Sequence, residues 1–252
     1  MALRFNAASH RYWLDGKPIP GVTTIIGKAI PKPALPYWSA RTVAEYVIDN
    51  PEGVEQLRAL GRGPAVAALK EIPWQARDEA AIRGTDVHAL AEQIIHGQEV
   101  EVPDHLLAHV EGYVRWLDAF DVEPILTERP CASRQHWYAG TFDLIGRING
   151  EVWGLDMKTS SGVYGETALQ IAAYMTAEFY VTEDGAESSL PEVSRMGVIH
   201  CTEMGTQLFP LGDHDDIDKA ARIFRHAAWV ASNLSWVKDR VGDPIETPGE
   251  VA

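Results

Sequence analysis

The chain has little cysteine, no long apolar run and a shortage of positive charge. Its two cysteines, Cys131 and Cys201, cannot build a disulfide framework or a four-cysteine cluster site. No apolar stretch reaches the ~18 residues that a membrane helix needs. The chain does not open on a charged-then-apolar signal segment. A soluble, cytoplasmic protein with no membrane partner is therefore expected. Lysine and arginine number 22 against 36 acids, a formal charge of −14. That balance argues against loose, charge-driven nucleic-acid binding, which needs cationic surface. It leaves room for a local basic groove, for which Lys28, Lys32, Arg41, Arg77, Arg83, Arg134 and Arg147 are the candidates. No basic run, internal repeat or low-complexity segment is present.

Hydrophobic residues make up 46% of the 252 positions. That suffices for one large domain or for a core with a helical extension. Residues 3–20 carry Phe5, Tyr12, Trp13 and Leu14 around Asp15-Gly16, a hairpin turn signal. Thr23 or Thr24 is a plausible cap for a short helix that the prolines at 31, 33 and 36 end. Residues 37–97 read as helical, with breaks at Pro51, Gly61-Arg-Gly-Pro64 and Pro73, and Thr85 as the cap of a new helix. A broad apolar stripe predicts a helix over 105–120. Strands are expected over 122–131, 137–148, 151–159, 195–202 and 207–211, with 182–191 as a surface loop. Asp213 should cap a long helix over 215–240, and the last dozen residues should fray.

The chemistry gathers in residues 140–174. The strand over 137–148 and the strand over 151–159 flank Asn149-Gly150, the strongest short hairpin signal. Side chains alternate faces along a strand. Val152, Gly154, Asp156 and Lys158 therefore share one face of the returning strand, and Trp153, Leu155 and Met157 the other. Thr141, Asp143 and Ile145 should share a face of the outgoing strand, so Asp143 and Asp156 can converge. Two carboxylates beside a lysine suit a magnesium or manganese ion, whose ligands are oxygens. Such an ion activates a bound water and stabilises charge on a phosphate. The lysine can orient that water or neutralise developing negative charge. On the following helix Gln170 and Tyr174 are four apart, on one face. Alone, an Asp-x-Lys pair more often marks a surface ion pair. The order of these pieces in one chain sets them apart.

Gly140-Thr-Phe-Asp143, Asp156-Met-Lys158-Thr-Ser and Gln170-x-x-x-Tyr174 resemble the three motifs of RecB-type nucleases in the PD-(D/E)XK superfamily. That group includes CRISPR-associated and phage exonucleases. Arg83-Gly-Thr-x-Val-His88 is similar to the helix that precedes the nuclease core there, and His10-x-Tyr12 with the Pro20–Ile26 segment is similar to the opening of phage members. The resemblance implies that His88, Asp143 and Asp156 bind Mg²⁺ or Mn²⁺, with the backbone carbonyl of Met157 as a further ligand. It implies that Lys158 assists the attacking water, and that Gln170 and Tyr174 contact the DNA strand or orient Lys158. Glu128 is a possible third acid, and Glu92 an outer residue or a solvated one. Several relatives carry an iron–sulfur cluster on four cysteines; with two, this chain should have none.

The expected fold is α/β, a mixed sheet with helices on both faces in a PD-(D/E)XK core. The N-terminal hairpin and helical portion would occupy residues 1–82 and the nuclease core 83–252. The expected function is metal-dependent exonuclease action on DNA in recombination, repair or replication, phage or bacterial, with a recombinase or helicase as possible partner. An endonuclease or resolvase using the same site, and a non-catalytic DNA-binding scaffold, are the alternatives.

Overall fold

The structure, a computed structural model, describes residues 3–6, 9 and 11–245. It is α/β. Three short strands, β1 (Arg4–Asn6), β2 (Arg11–Leu14) and β3 (Lys17–Ile19), form a small antiparallel sheet. Asp15 and Gly16 both take positive φ between β2 and β3, the geometry that a two-residue hairpin turn demands. His10, part of the resemblance to phage enzymes, lies outside the described residues. Helix α1 (Val22–Ala29) follows. Its N-cap is Gly21 and no side chain caps it, so neither Thr23 nor Thr24 has the expected role.

Helices α2 (Ala34–Asp49), α3 (Pro51–Ala59) and α4 (Arg62–Ile95) come next. The expected break at Pro51 is present: α2 ends at Asp49 and Pro51 opens α3, with Asn50 as cap accepting from the Gly53 amide; proline suits a first helical turn because that N–H is unpaired anyway. Two sequence expectations fail in α4. Pro73 sits inside a continuous helix, and Thr85 is no cap: its hydroxyl donates to the Ala81 carbonyl one turn back. Proline removes one helical hydrogen bond, but a helix of 34 residues keeps the rest of its cooperative ladder. The 82/83 division therefore falls within one helix.

A single 3₁₀ turn (Asp104–Leu106) leads into α5 (Leu107–Phe120). Then come β4 (Glu123–Ser133), β5 (Tyr138–Ile148), β6 (Glu151–Lys158), α6 (Glu166–Met175), β7 (Phe179–Val181), β8 (Glu187–Ser188), β9 (Arg195–Thr202), β10 (Gly205–Asp213) and α7 (His214–Lys238). The seven-stranded sheet has the order β10-β9-β6-β5-β4-β7-β8. It is antiparallel except where β6 and β9 run parallel, joined by the α6 crossover that a parallel pair requires. Strand β8, paired with β7 just before the segment, corrects the expectation of a plain loop over 182–191; at two polar residues it is too short to show a strand pattern. The tail from 246 onward, expected to fray, lies outside the described residues.

Both faces of the sheet are covered. On one, α1, α6 and α7 bury Ile25, Ile171, Ala221 and Phe224 against Tyr138, Ile145, Met196 and Val198. On the other, α4 and α5 bury Val87, Tyr113 and Trp116 against Leu144, Leu155, Met157 and Ile199. The parity read for β6 holds: Leu155 and Met157 face α4 and α5, while Gly154 lies under Ile171 and Met175 of α6. The described residues contain no helix long and apolar enough to cross a membrane. Both cysteines are free and buried.

Candidate functional site

The site lies where β5 and β6 part. Their antiparallel register runs from Ile148↔Glu151 to Leu144↔Leu155 and stops there. One step further would set Asp143 opposite Asp156. Instead the Met157 amide donates to Asp143 Oδ2 at 2.7 Å. A side-chain carboxylate thus takes the place of a ladder carbonyl, and the strands open around it. β6 keeps its order through its parallel partner, paired as far as Lys158↔His200.

Strand β4 shapes the other side. Thr127↔Leu144 and Arg129↔Phe142 are paired, which leaves Glu128 opposite Asp143. Glu128 has φ 47°, a left-handed conformation that a non-glycine residue holds only when its surroundings enforce it. The alternation of β5 slips at the same level. Phe142 and Ile145, three apart, both pack toward α1, α6 and α7, whereas Leu144 packs toward α4 and α5. Thr141, Asp143 and Ile145 therefore do not share a face as expected. The slip turns the Asp143 carboxylate into the gap between strands, toward α4.

Helix α4 brings His88. Its Nδ1 is 3.6 Å from Asp143 Oδ2 and 3.8 Å from Glu128 Oε1, and its Nε2 is 3.1 Å from the Met157 carbonyl oxygen. Gly84, one turn earlier, explains part of the Arg83-Gly-Thr motif. A Cβ there would stand 3.1 Å from Thr159 Oγ1, so glycine lets the helix lie close to the end of β6. His96 makes a separate contact, with Thr127 Oγ1 at 2.8 Å. Glu92 lines the small cavity beside His88, Glu128 and Asp143.

Asp156 belongs to a second, adjoining group. Its side chain is buried, with Oδ2 2.7 Å from Lys158 Nζ and Oδ1 accepting from Gln170 Nε2 at 2.6 Å. Lys158 Nζ also donates to Gln170 Oε1 at 3.5 Å. Gln170 thus holds acid and amine together. Tyr174 supports Gln170 from beneath, with 3.4 Å between Gln170 Nε2 and the phenolic oxygen. Its ring is buried on Gly140, where a Cβ would come within 2.3 Å of the ring edge. Tyr174 thus touches Gln170, which in turn contacts Lys158.

Charge is crowded here. Burial opposes a positive His88, but Asp143 and Glu128 outweigh it and hold the imidazole up to about 9. Burial raises Asp143, with His88 working against the rise and Glu128 adding to it. Burial and then Asp143 push Asp156 up to about 6. Lys158 is raised because Asp156 and Asp143 outweigh its burial. Three acids near one point are poorly tolerated without cations.

His88, Glu128 and Asp143 each offer a ligand atom, all within 4.8 Å of one another. One imidazole and two carboxylates are a fitting donor set for a divalent cation, and like-charged acids are what such an ion relieves. The sequence had only hinted at Glu128; nothing local announces its left-handed backbone. The Met157 carbonyl faces Nε2, while the acids face Nδ1. Nε2–H donating to that carbonyl would fix the tautomer that presents Nδ1 as ligand, the usual part of an outer hydrogen-bond partner. Asp156 is brought next to this set but is turned to Lys158. An open groove of about 540 Å³ leads in, walled by Ala80, Ala81, Gly84 and Thr85 of α4 and by Lys158, Thr159 and Ser160.

No protein-family model matches this sequence, and no curated protein matches it significantly.

Proposed function

We propose that the chain is a divalent-metal-dependent deoxyribonuclease, an exonuclease of the RecB-type PD-(D/E)XK kind. The observation that carries this is the convergence of His88, Glu128, Asp143, Asp156, Lys158 and Gln170 from five separate elements, with His88, Glu128 and Lys158 lining one groove. The order α5–β4–β5–β6–α6–β9, with the short β7 and β8 inserted between α6 and β9, follows the helix, meander, helix, strand order expected for that core.

His88, Glu128 and Asp143 would hold Mg²⁺ or Mn²⁺. Such an ion would lower the pKa of a bound water and stabilise charge on a phosphate. Lys158 stays protonated, because Asp156 and Asp143 outweigh its burial. It therefore serves as a fixed cation toward phosphate oxygens rather than as a proton acceptor. Asp156 and Gln170 keep its ammonium in place, and Tyr174 keeps Gln170 in place. The small residues Ala80, Ala81 and Gly84 along α4 leave the groove open to a strand's backbone.

Digestion of end-labelled linear single- and double-stranded DNA beside closed circles tests this reading. Each would be run with Mg²⁺, Mn²⁺ or EDTA. Metal-dependent loss of linear DNA alone is expected, and the label gives the polarity. Cut circles would replace the exonuclease with an endonuclease. Intact DNA under every condition would overturn the proposal.

A further inference from the structure

The chain is acidic overall, and α7 opens on Asp215, Asp216 and Asp218, but the rest of the helix and the turn that follows it are basic. From 219 to 240 the sequence carries Lys219, Arg222, Arg225, Lys238 and Arg240 against one acid, Asp239. None of the five is ion-paired to another described residue. By contrast, five of the seven cations picked from sequence are neutralised: Lys32 by Glu166, Arg41 by Glu45, Arg77 by Asp78, Arg134 by Asp15 and Glu187, and Arg147 by Glu123.

The same helix carries bare tryptophans. Ile217, Ala220, Ala221, Phe224 and Ala227 make its buried stripe. Trp229 is 69% exposed and Trp236 59% exposed. Seven residues apart, they share a face and stand roughly 10 Å apart along the axis. Arg240 lies over the Trp236 ring, 4.6 Å from its centre. Trp229 and Arg225 wall a groove of about 420 Å³ between α7, α1 and the β4–β5 turn. Lys28, His136 and Trp137 also line it, and its lining contains no acid. Burying apolar surface would not need arginines here, and holding a phosphate alone would not need indoles.

Unpaired cations alternating with exposed aromatic rings are what a single-stranded nucleic acid requires: charge for the phosphates and flat faces for the bases. We infer that this face of α7, continued by the groove at Lys28 and Trp137, is a single-stranded DNA-binding platform separate from the site at His88. It rests on charge and exposure, and does not depend on the chain being a nuclease.

The test is fluorescence anisotropy of a labelled oligo-dT of about 20 nucleotides, in EDTA so that nothing is cut, across a salt series. The parent should bind. Trp229→Ala and Trp236→Ala should each weaken binding at least fivefold, since each removes a stacking surface. Arg222→Gln with Arg225→Gln should flatten the salt dependence, by about 0.7 in the log–log slope per lost phosphate contact. All four side chains lie off the buried stripe, so melting curves should match the parent. Trp74→Ala, an exposed tryptophan on α4, should bind as the parent does. Unchanged affinity in the α7 variants would overturn the inference, as would equal loss in Trp74→Ala. So would a dimer that Trp236→Ala dissociates while DNA affinity stays the same. Failed DNA cutting with intact α7-dependent binding would sink the nuclease reading alone.

Discussion

At the scale of residues, the site is a problem in charge. Without metal, His88 holds its proton to about pH 9 because Asp143 and Glu128 outweigh its burial. A histidine raised above its ordinary 6.5 adds stability that is complete below that value and is lost as pH climbs through 9. Asp156, pushed up to about 6 from its ordinary 3.8, has the same sign: its contribution is complete below 3.8 and gone above 6. The melting temperature in EDTA should therefore fall from pH 6.5 to 9, and fall less in His88→Gln. A flat profile in the parent would contradict the charge state assigned here. Since His88 must release its proton to bind an ion through Nδ1, metal affinity should rise over the same range.

Gly140 answers to packing rather than to charge. Ala at this position sets a methyl within 2.3 Å of the Tyr174 ring, which is itself buried. Overpacking of this kind costs about 1–3 kcal/mol, or several degrees of melting temperature at this size. Displacement of Tyr174 also frees Gln170, so activity should fall further than stability explains. A Gly140→Ala variant with the parent's melting temperature and rate would show that the ring has room.

At the scale of elements, the β5–β6 hairpin was legible in the sequence. Asn149-Gly150 marks its turn, and both residues have positive φ there. The parity of β6 was legible because apolar and polar residues alternate cleanly from Val152 to Lys158. The slip in β5 was not, because it sits opposite the left-handed Glu128 on another strand, and neither leaves a local mark in the sequence. The unbroken α4 was hidden by Pro73 and by Thr85, whose hydroxyl bonds backward along the helix instead of capping it. Asp213 was read correctly as the α7 cap. Its side chain accepts from the Asp215 and Asp216 amides, and Asp216 accepts from the Asp213 amide in return. Asp213→Ala should cost about 1 kcal/mol, a drop of roughly 2–4 °C, with no change in metal binding. Thermal melts with and without Mn²⁺ would check both parts.

At the scale of the whole molecule, a formal charge of −14 argues against loose, charge-driven DNA binding but leaves room for a local basic groove. Charge totals hide placement, since most of the singled-out cations are spent on neighbouring acids, while those of α7 and its following turn have no ion pair among the described residues. Two of the acids, Glu128 and Asp143, meet His88 at one point. An ion bound there and not in the unfolded chain stabilises the fold by mass action, about 2.7 kcal/mol at a hundredfold excess over its Kd. Saturating Mn²⁺ should therefore raise the melting temperature by several degrees, and EDTA should reverse it. Asp143→Asn should lose most of that rise. A rise of equal size in Asp143→Asn would place the ion elsewhere.

The most direct measurement is the single-turnover rate of DNA cleavage with Mn²⁺ by the parent, Asp143→Asn and Lys158→Ala, each first shown to be folded. The parent should cut. Both variants should be slower by a hundredfold or more, since each removes charge stabilisation that acts on the reacting phosphate. Variants that cut as fast as the parent would contradict the account.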